Sequence, residues 1–256
     1  MTASARDHDL GDIRVGIGGW SYDPWRGAFY PAGLPARKEL EYASRRVTAI
    51  EINATFYRGQ SPATFAKWRD ATPDGFVFAV KGNRFCTARK VLAEAGESVA
   101  KFVGQGIAEL GAKLGPILWQ LPANKRFDPD DIAAFLALLP AGHDGVALRH
   151  AIEPRHESFR DAAFFALARE RGVAVVYADD DAYPCFPEQT AGFTYARLQR
   201  TRAEEPAGYD AAALDRWAGQ ARDWAQGGRD VFVFFISGAK VRNPAAAQAL
   251  IALLEG

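Results

Sequence analysis

The chain has 256 residues, 48% hydrophobic and 24% charged, which suits one large globular domain or two small ones. Its 31 Lys and Arg balance 31 Asp and Glu, and a chain with no overall positive field is disfavoured as a bulk nucleic-acid binder. No run of about 18 apolar residues offers a membrane span.

The opening stretch MTASARDHDLGD (residues 1–12) has no apolar segment. It reads as a flexible N-terminal tail ahead of a single domain over residues 13–256, and not as a signal peptide. The two cysteines, Cys86 and Cys185, have no metal-type spacing and no disulfide framework, so a reducing cytoplasm is the simplest setting. No motif calls for a cofactor.

Short β-forming runs recur at 13–19, 47–53, 76–81, 117–121, 146–155 (the least regular), 173–179, 193–198 and 231–236. Between them, residues 35–45, 62–71, 97–114, 129–139, 158–171, 210–226 and 243–254 have helical spacing. The gap after the sixth strand, DDDAYPCFPEQTAG, is Pro-rich, so its helix is short or degenerate. Ser61-Pro62, Asp128-Pro129 and Asn243-Pro244 each place a capping residue before a Pro at the first helical position. Eight strands alternating with helices predict parallel βα units closed into an eight-stranded (β/α)8 barrel of the TIM type. An open doubly wound sheet is the alternative.

Ligands of such barrels bind at the C-terminal ends of the strands. The first loop there lies in GIGGWSYDPWRGAFYP (residues 16–31), with two Trp, two Tyr and one Phe. Those rings could form a stacking platform or a plug, with Trp20, Trp25 and Phe29 packed on the neighbouring TFYR loop. Strand alternation turns Ile50, Ile52, Phe76, Phe78, Val80 and Ile152 toward the helices. It leaves Glu51, Asn53, Ala79, Lys81, Glu153 and Arg155 facing the lumen. Luminal charges need partners, and Glu51 with Lys81 and Glu153 with Arg155 are the natural pairs.

The fragments GGWSYDPWRGAFYP, EINATFYR, FVFAVKGNR, LGPILWQLP and EPRHESF follow one another in order. Together they resemble the YecE-like proteins (DUF72), a bacterial and archaeal family of domains of unknown function, and the likeness runs from about residue 13 to the C-terminus. The resemblance implies a triosephosphate-isomerase-type barrel and implies no reaction. The chain resembles a divergent branch. Family members often carry His where Ala88 stands, and often end the seventh strand in Arg-x-His-Gly, where Arg197 is kept and Gln199 replaces the His. They often end the eighth with Asn-Asp, where this chain runs through Ser237 in FFISGAKVRNP.

Glu51 and Glu153 could act as general acid and base or serve only in luminal salt bridges. Lys81 could form a Schiff base if kept neutral, whereas a nearby Glu51 would hold it protonated. Around these catalytic candidates, Trp20, Tyr22, Asn53, Tyr57, Arg84, Arg155, His156, Asp179, Arg197, Ser237 and Lys240 are the candidate ligand-binding residues. The segments after the strands gather Arg58, Lys81, Arg84, Arg89, Lys90, Arg155, Arg197, Arg200, Arg202, Lys240 and Arg242. That mouth would attract an anion unless Glu157, Glu204, Glu205 and Asp180 neutralise it. An anion could sit between Ser237, Lys240 and Arg197 at the start of a helix capped by Asn243. The leading expectation is a small-molecule enzyme working by acid–base chemistry on an anionic or polyhydroxylated ligand, phosphorylated or sugar-like. One alternative is a non-catalytic barrel that binds nucleic acid or protein. Another is a metal-dependent isomerase or phosphoesterase using Glu153, His156 and Asp179, although no motif requires a metal. No G-x-S-x-G elbow follows a strand, and GIGGW is not a dinucleotide fingerprint.

Overall fold

The computed structural model describes residues 10–256, so most of the expected N-terminal tail lies outside the described residues. Residues 10–12 are not free: Leu10 bridges to Gln226, the Gly11 N–H donates to the Ala225 carbonyl, and the Asp12 carbonyl accepts from Val231.

Along the chain come β1 (Ile13–Gly18), α1 (Glu39–Ala43), β2 (Ala49–Ile52), α2 (Ala54–Tyr57), α3 (Pro62–Asp70) and β3 (Val77–Lys81). Next are α4 (Arg84–Thr87), α5 (Gly96–Val103), β4 (Leu114–Gln120), α6 (Pro129–Ala137), and a small hairpin of β5 (Gly142–His143) and β6 (Val146–Ala147). The rest comprises β7 (His150–Glu153), α7 (Ala162–Glu170), β8 (Ala174–Val175), β9 (Tyr177–Asp179), β10 (Phe193–Leu198), α8 (Ala211–Ala225), β11 (Asp230–Phe235) and α9 (Asn243–Glu255).

One all-parallel sheet joins the strands in the order β8-β7-β4-β3-β2-β1-β11-β10-β9, giving a TIM-barrel-like α/β fold. It has nine strand segments where the spacing predicts eight strands. β8 pairs with β7 and β9 with β10, and only Val176 separates them, its N–H donating to the Ile152 carbonyl. The two edge segments are therefore successive pieces of one strand that changes partner midway, and this strand brings the ring nearly to closure. No helix lies between β9 and β10, as the Pro-rich gap predicts.

Glycine accounts for two departures from the predicted elements. The predicted helix 97–114 stops after α5 at Gly104, and Gly106 takes a left-handed φ of 110° before a 3₁₀ turn. The predicted strand 146–155 is two pieces, because Asp144 and Gly145 (φ 47° and 76°) turn the β5–β6 hairpin before β7 begins. Ser61 and Asp128 cap α3 and α6 with their side-chain oxygens. Asn243 does not cap α9. It is the first helical residue, and its side chain is taken by Thr201 and the Ser237 carbonyl.

Ile50, Ile52, Phe78, Val80 and Ile152 pack in the layer between strands and helices, as alternation predicts. The lumen has its own core, and it is lopsided. Ala49, Ala79, Ala151 and Ala174 from β2, β3, β7 and β8 face Phe193, Tyr195, Phe232 and Phe234 from β10 and β11. Large rings on one wall meet small methyls on the other, a pairing of sizes that fills a narrow barrel.

Close approach of β1 and β2 depends on Gly16, where an added Cβ would lie 2.0 Å from the Ala49 carbonyl oxygen. Gly16→Ala is expected to cost about 3 kcal/mol or more, the upper range for overpacking. Gly18→Ala, whose Cβ would meet side chains of Asn53 and Ile236 at 3.2 and 3.3 Å, should cost clearly less. Paired thermal melts check the order.

Candidate active site

Arg197, on β10, sits between two carboxylates across the lumen. Its Nε and Nη2 each donate to Glu51 at 3.1 Å, and its Nη1 donates to Glu153 at 2.6 Å. All three side chains are at most 3% exposed. The Tyr195 hydroxyl donates to Glu51, and the Gln120 amide and Arg155 Nε donate to Glu153. Burial would raise the Glu153 carboxyl, but Arg197, Arg155 and Gln120 together hold it below its usual range. Burial works against the Arg197 charge, and the two carboxylates still raise its pKa. Burial, followed by the adjacent Glu51 charge, keeps the Tyr195 phenol protonated.

The Glu153–Arg155 pair forms as expected, but Glu51 does not pair with Lys81. Glu51 lies opposite Ala79 in the β2–β3 register, one pleat below Lys81, and its two oxygens are filled by Arg197 and Tyr195. Lys81 is buried, and its Nζ lies 4.4 Å from the Phe56 ring centre, with no carboxylate within 4.0 Å among the described residues. Burial, reinforced by Arg197, outweighs the pull of Glu51 and Glu153 and brings its pKa down to about 8.

Above this network, at the C-terminal ends of the strands, opens a cavity of about 640 Å³. Its cations are Arg58, Lys81, Arg155, Arg197 and Lys240, and no Asp or Glu lines it. Trp20, Asn53, Tyr57 and Ser237 of the predicted set also line it. Glu51 and Glu153 lie beneath, so the expected acid–base pair does not face the cavity.

Several predicted residues lie elsewhere. Tyr22 packs on Trp25 and under Lys240 Nζ instead of lining the cavity. Arg84 is exposed outside it, against Phe85. His156 uses Nδ1 to cap a short turn through Ser158. Asp179 faces Arg200, its pKa raised by burial. Glu153, His156 and Asp179 therefore do not converge, and no group of three or more His, Cys, Asp or Glu among the described residues is placed to hold a metal. Arg200 and Arg202 are matched by Asp179, Asp181, Glu205 and Asp210.

The aromatic loop divides in two. Trp25 and Tyr30 are buried, and Trp25 Nε1 donates to the Lys240 carbonyl, tying the first loop to the last. Their ring contacts are with Tyr22, Phe29 and Tyr42, not with the TFYR loop. Only Trp20 reaches the cavity, set edge-on against Trp68 at 5.2 Å. The expected anion cradle is altered too: Arg197 is already matched by two carboxylates, and Asn243 is engaged with Thr201. Gln199, at the position where the family often has His, is buried with an unpartnered Nε2.

Sequence reasoning missed Tyr195, Gln120 and Trp68, and it placed Arg58 at the mouth only as one of many cations. Tyr195 stands two residues before Arg197, and Gln120 two after the luminal Leu118, so the period-two pattern contained the signal for both. Trp68 lies on α3, outside the strands, where no period of two exists.

A family model described as "Protein of unknown function DUF72" matches residues 14–256. The chain belongs to this family. It is similar to the UPF0759 protein YecE of Escherichia coli (strain K12), 29% identical over 142 residues, 54% of this chain and 48% of YecE. The chain thus spans about half the length of the curated relatives it matches. A DUF72 family protein from Thermotoga maritima MSB8 has the same fold, with a TM-score of 0.76 and 22% identity over 96% of this chain and 100% of that one. A xylose isomerase domain protein from Alicyclobacillus acidocaldarius shares the barrel at a TM-score of 0.52 and 15% identity, covering 95% of this chain and 100% of its own. No helix among the described residues is long and apolar enough to cross a membrane.

Removing one charge from the network leaves a buried guanidinium short of its partner. Glu153→Gln is expected to destabilise the fold by about 3–5 kcal/mol near neutral pH. The folded pKa of Glu153 is depressed, so its contribution is complete above the unfolded value of about 4.3 and is lost as pH falls through the lower folded value. The gap between wild type and variant should narrow on acidification in denaturant titrations.

Proposed function

We propose that this chain is a small-molecule enzyme that uses Lys81 as its proton-transfer group on an anionic, polyhydroxylated ligand. The observation that carries this reading is the Lys81 amine: it lines a cavity of about 640 Å³ with no carboxylate partner within 4.0 Å among the described residues. An amine titrating near pH 8 is partly neutral at physiological pH and can take a proton and return it. Glu51 and Glu153 act beneath it as positioning groups, holding Arg197 and Arg155.

The other lining groups fit the ligand class. Arg58 and Lys240 supply positive charge with no carboxylate within 4.0 Å among the described residues, and Arg155, paired with Glu153, adds a guanidinium to the lining. Ser21, Asn53, Gln60, Gln120 and Ser237 offer hydrogen bonds to hydroxyls, and Trp20 with Trp68 offers apolar area for a sugar face. In the simplest reaction, Lys81 Nζ takes a proton from a carbon beside a carbonyl. The electron pair of the broken C–H bond moves onto the carbonyl oxygen, opposite the cations, and return of the proton restores the amine.

Sugar phosphates and sugar acids incubated with the protein in D₂O test this reading by mass spectrometry. At least one is expected to take up solvent deuterium, at a rate rising through pH 8, and Lys81→Met should lower that rate by about 10²-fold or more. Exchange unchanged in the variant, or no wild-type exchange across the panel, would contradict it.

A further inference from the structure

We infer that a second cavity beside the first is a binding groove for single-stranded nucleic acid. This goes beyond the small-molecule reading and does not depend on Lys81. The two short helices α2 and α4 follow β2 and β3 at the barrel mouth and hold Tyr57, Phe85 and their neighbours. Between these helices and α5 lies a cavity of about 450 Å³ lined by Tyr57, Arg58, Phe85, Arg89 and Lys101. Tyr57 and Arg58 also line the larger cavity, so the two are contiguous.

Large apolar side chains are exposed here as nowhere else among the described residues. Tyr57 is 65% exposed and Phe85 60%, and Val91 in the same loop region is 39% exposed; Leu10 alone lies elsewhere. Beside the rings stand cations without acidic partners. Arg58, Arg84, Arg89 and Lys101 have no carboxylate within 4.0 Å among the described residues. Arg89 is fixed by the Phe85 and Glu94 carbonyls and the Ser98 hydroxyl, all uncharged acceptors, so its charge is held in place and not cancelled. The one acid lining the cavity is Glu97.

Aromatic faces next to unmatched cations recur twice in sequence, at Tyr57-Arg58 and Arg84-Phe85. Rings that project into solvent accept unstacked bases, while the guanidinium and ammonium groups meet phosphates. A duplex keeps its bases stacked and cannot use the rings. A second copy of this chain would bring like charge against like. The zero net charge of the chain does not oppose this, because the excess is local: three lining cations and the adjacent Arg84 face a single Glu97. Without a global field, binding should be modest and strongly salt-dependent.

Fluorescence anisotropy of a labelled single strand of six thymidines, titrated with the full chain at low salt, tests the groove. Saturable binding is expected, with Phe85→Ala weakening it about tenfold. The double variant Arg84→Glu, Lys101→Glu should weaken it further and flatten the salt dependence, by about 0.7 in the log–log slope for each phosphate no longer neutralised. Lys81→Met should bind like wild type, which separates this result from the fate of the proton-transfer reading. Thermal melts confirm that the variants are folded, and Phe85→Leu, which keeps apolar bulk without a ring, should also bind weakly. No saturable wild-type binding, undiminished binding by folded Phe85→Ala, or equal competition by duplex or by base-free polyphosphate would overturn the proposal.

Discussion

One guanidinium facing two carboxylates sets the character of this barrel. Arg197 connects β10 to Glu51 on β2 and Glu153 on β7, strands that do not neighbour each other in the sheet. Ionic groups so deeply buried persist only when every charge is matched and hydrogen-bonded. The matching is close to complete: Glu51 and Glu153 offset Arg197 and Arg155, while Tyr195 and Gln120 donate to oxygens that would otherwise go short. A charge on Lys81 then has no counter-ion left. Its depressed pKa and its freedom from partners both follow from the balance of those four charges.

The lopsided lumen explains how the network is assembled. Alanines on β2, β3, β7 and β8 leave room for the rings of β10 and β11 to cross the barrel. Tyr195 crosses far enough for its hydroxyl to reach Glu51, and Arg197, two residues further along, reaches both acids. The same side chains that fill the core carry the polar network at its upper edge. Above them the loops supply the rest: the first is pinned to the last through Trp25 and Lys240, and the second and third form short helices that hold aromatic and basic residues outward.

Much of this was legible in the sequence, and the limit is physical. A period of two assigns each strand residue to a face, so the outward set from Ile50 to Ile152 and the inward Glu51, Lys81, Glu153 and Arg155 could be read directly. Pairing across the lumen could not, because partners such as Glu51 and Arg197 are 146 residues apart and which residues meet depends on the tilt and stagger of the strands. Adjacency of β2 and β3 predicts a Glu51–Lys81 pair, which does not form because Lys81 sits one pleat higher. The Asn243 cap failed for a similar reason: a local Asn-Pro signal was overridden by a tertiary partner, Thr201. In the loops no period helps, and the local signal for the short helices is slight: Asn83 caps α4 by accepting from the Phe85 N–H, while α2 has no side-chain cap.

Lys81 is the amine that the buried carboxylates leave without a partner within 4.0 Å among the described residues. Reductive ¹³C-methylation of the lysines, with Lys81→Arg to assign its signal, allows its titration to be followed by NMR. A midpoint near pH 8, moving upward when Arg197→Met removes the neighbouring cation and frees the carboxylates, is the predicted result. A midpoint at the ordinary lysine value of about 10.4, unmoved by Arg197→Met, would contradict it.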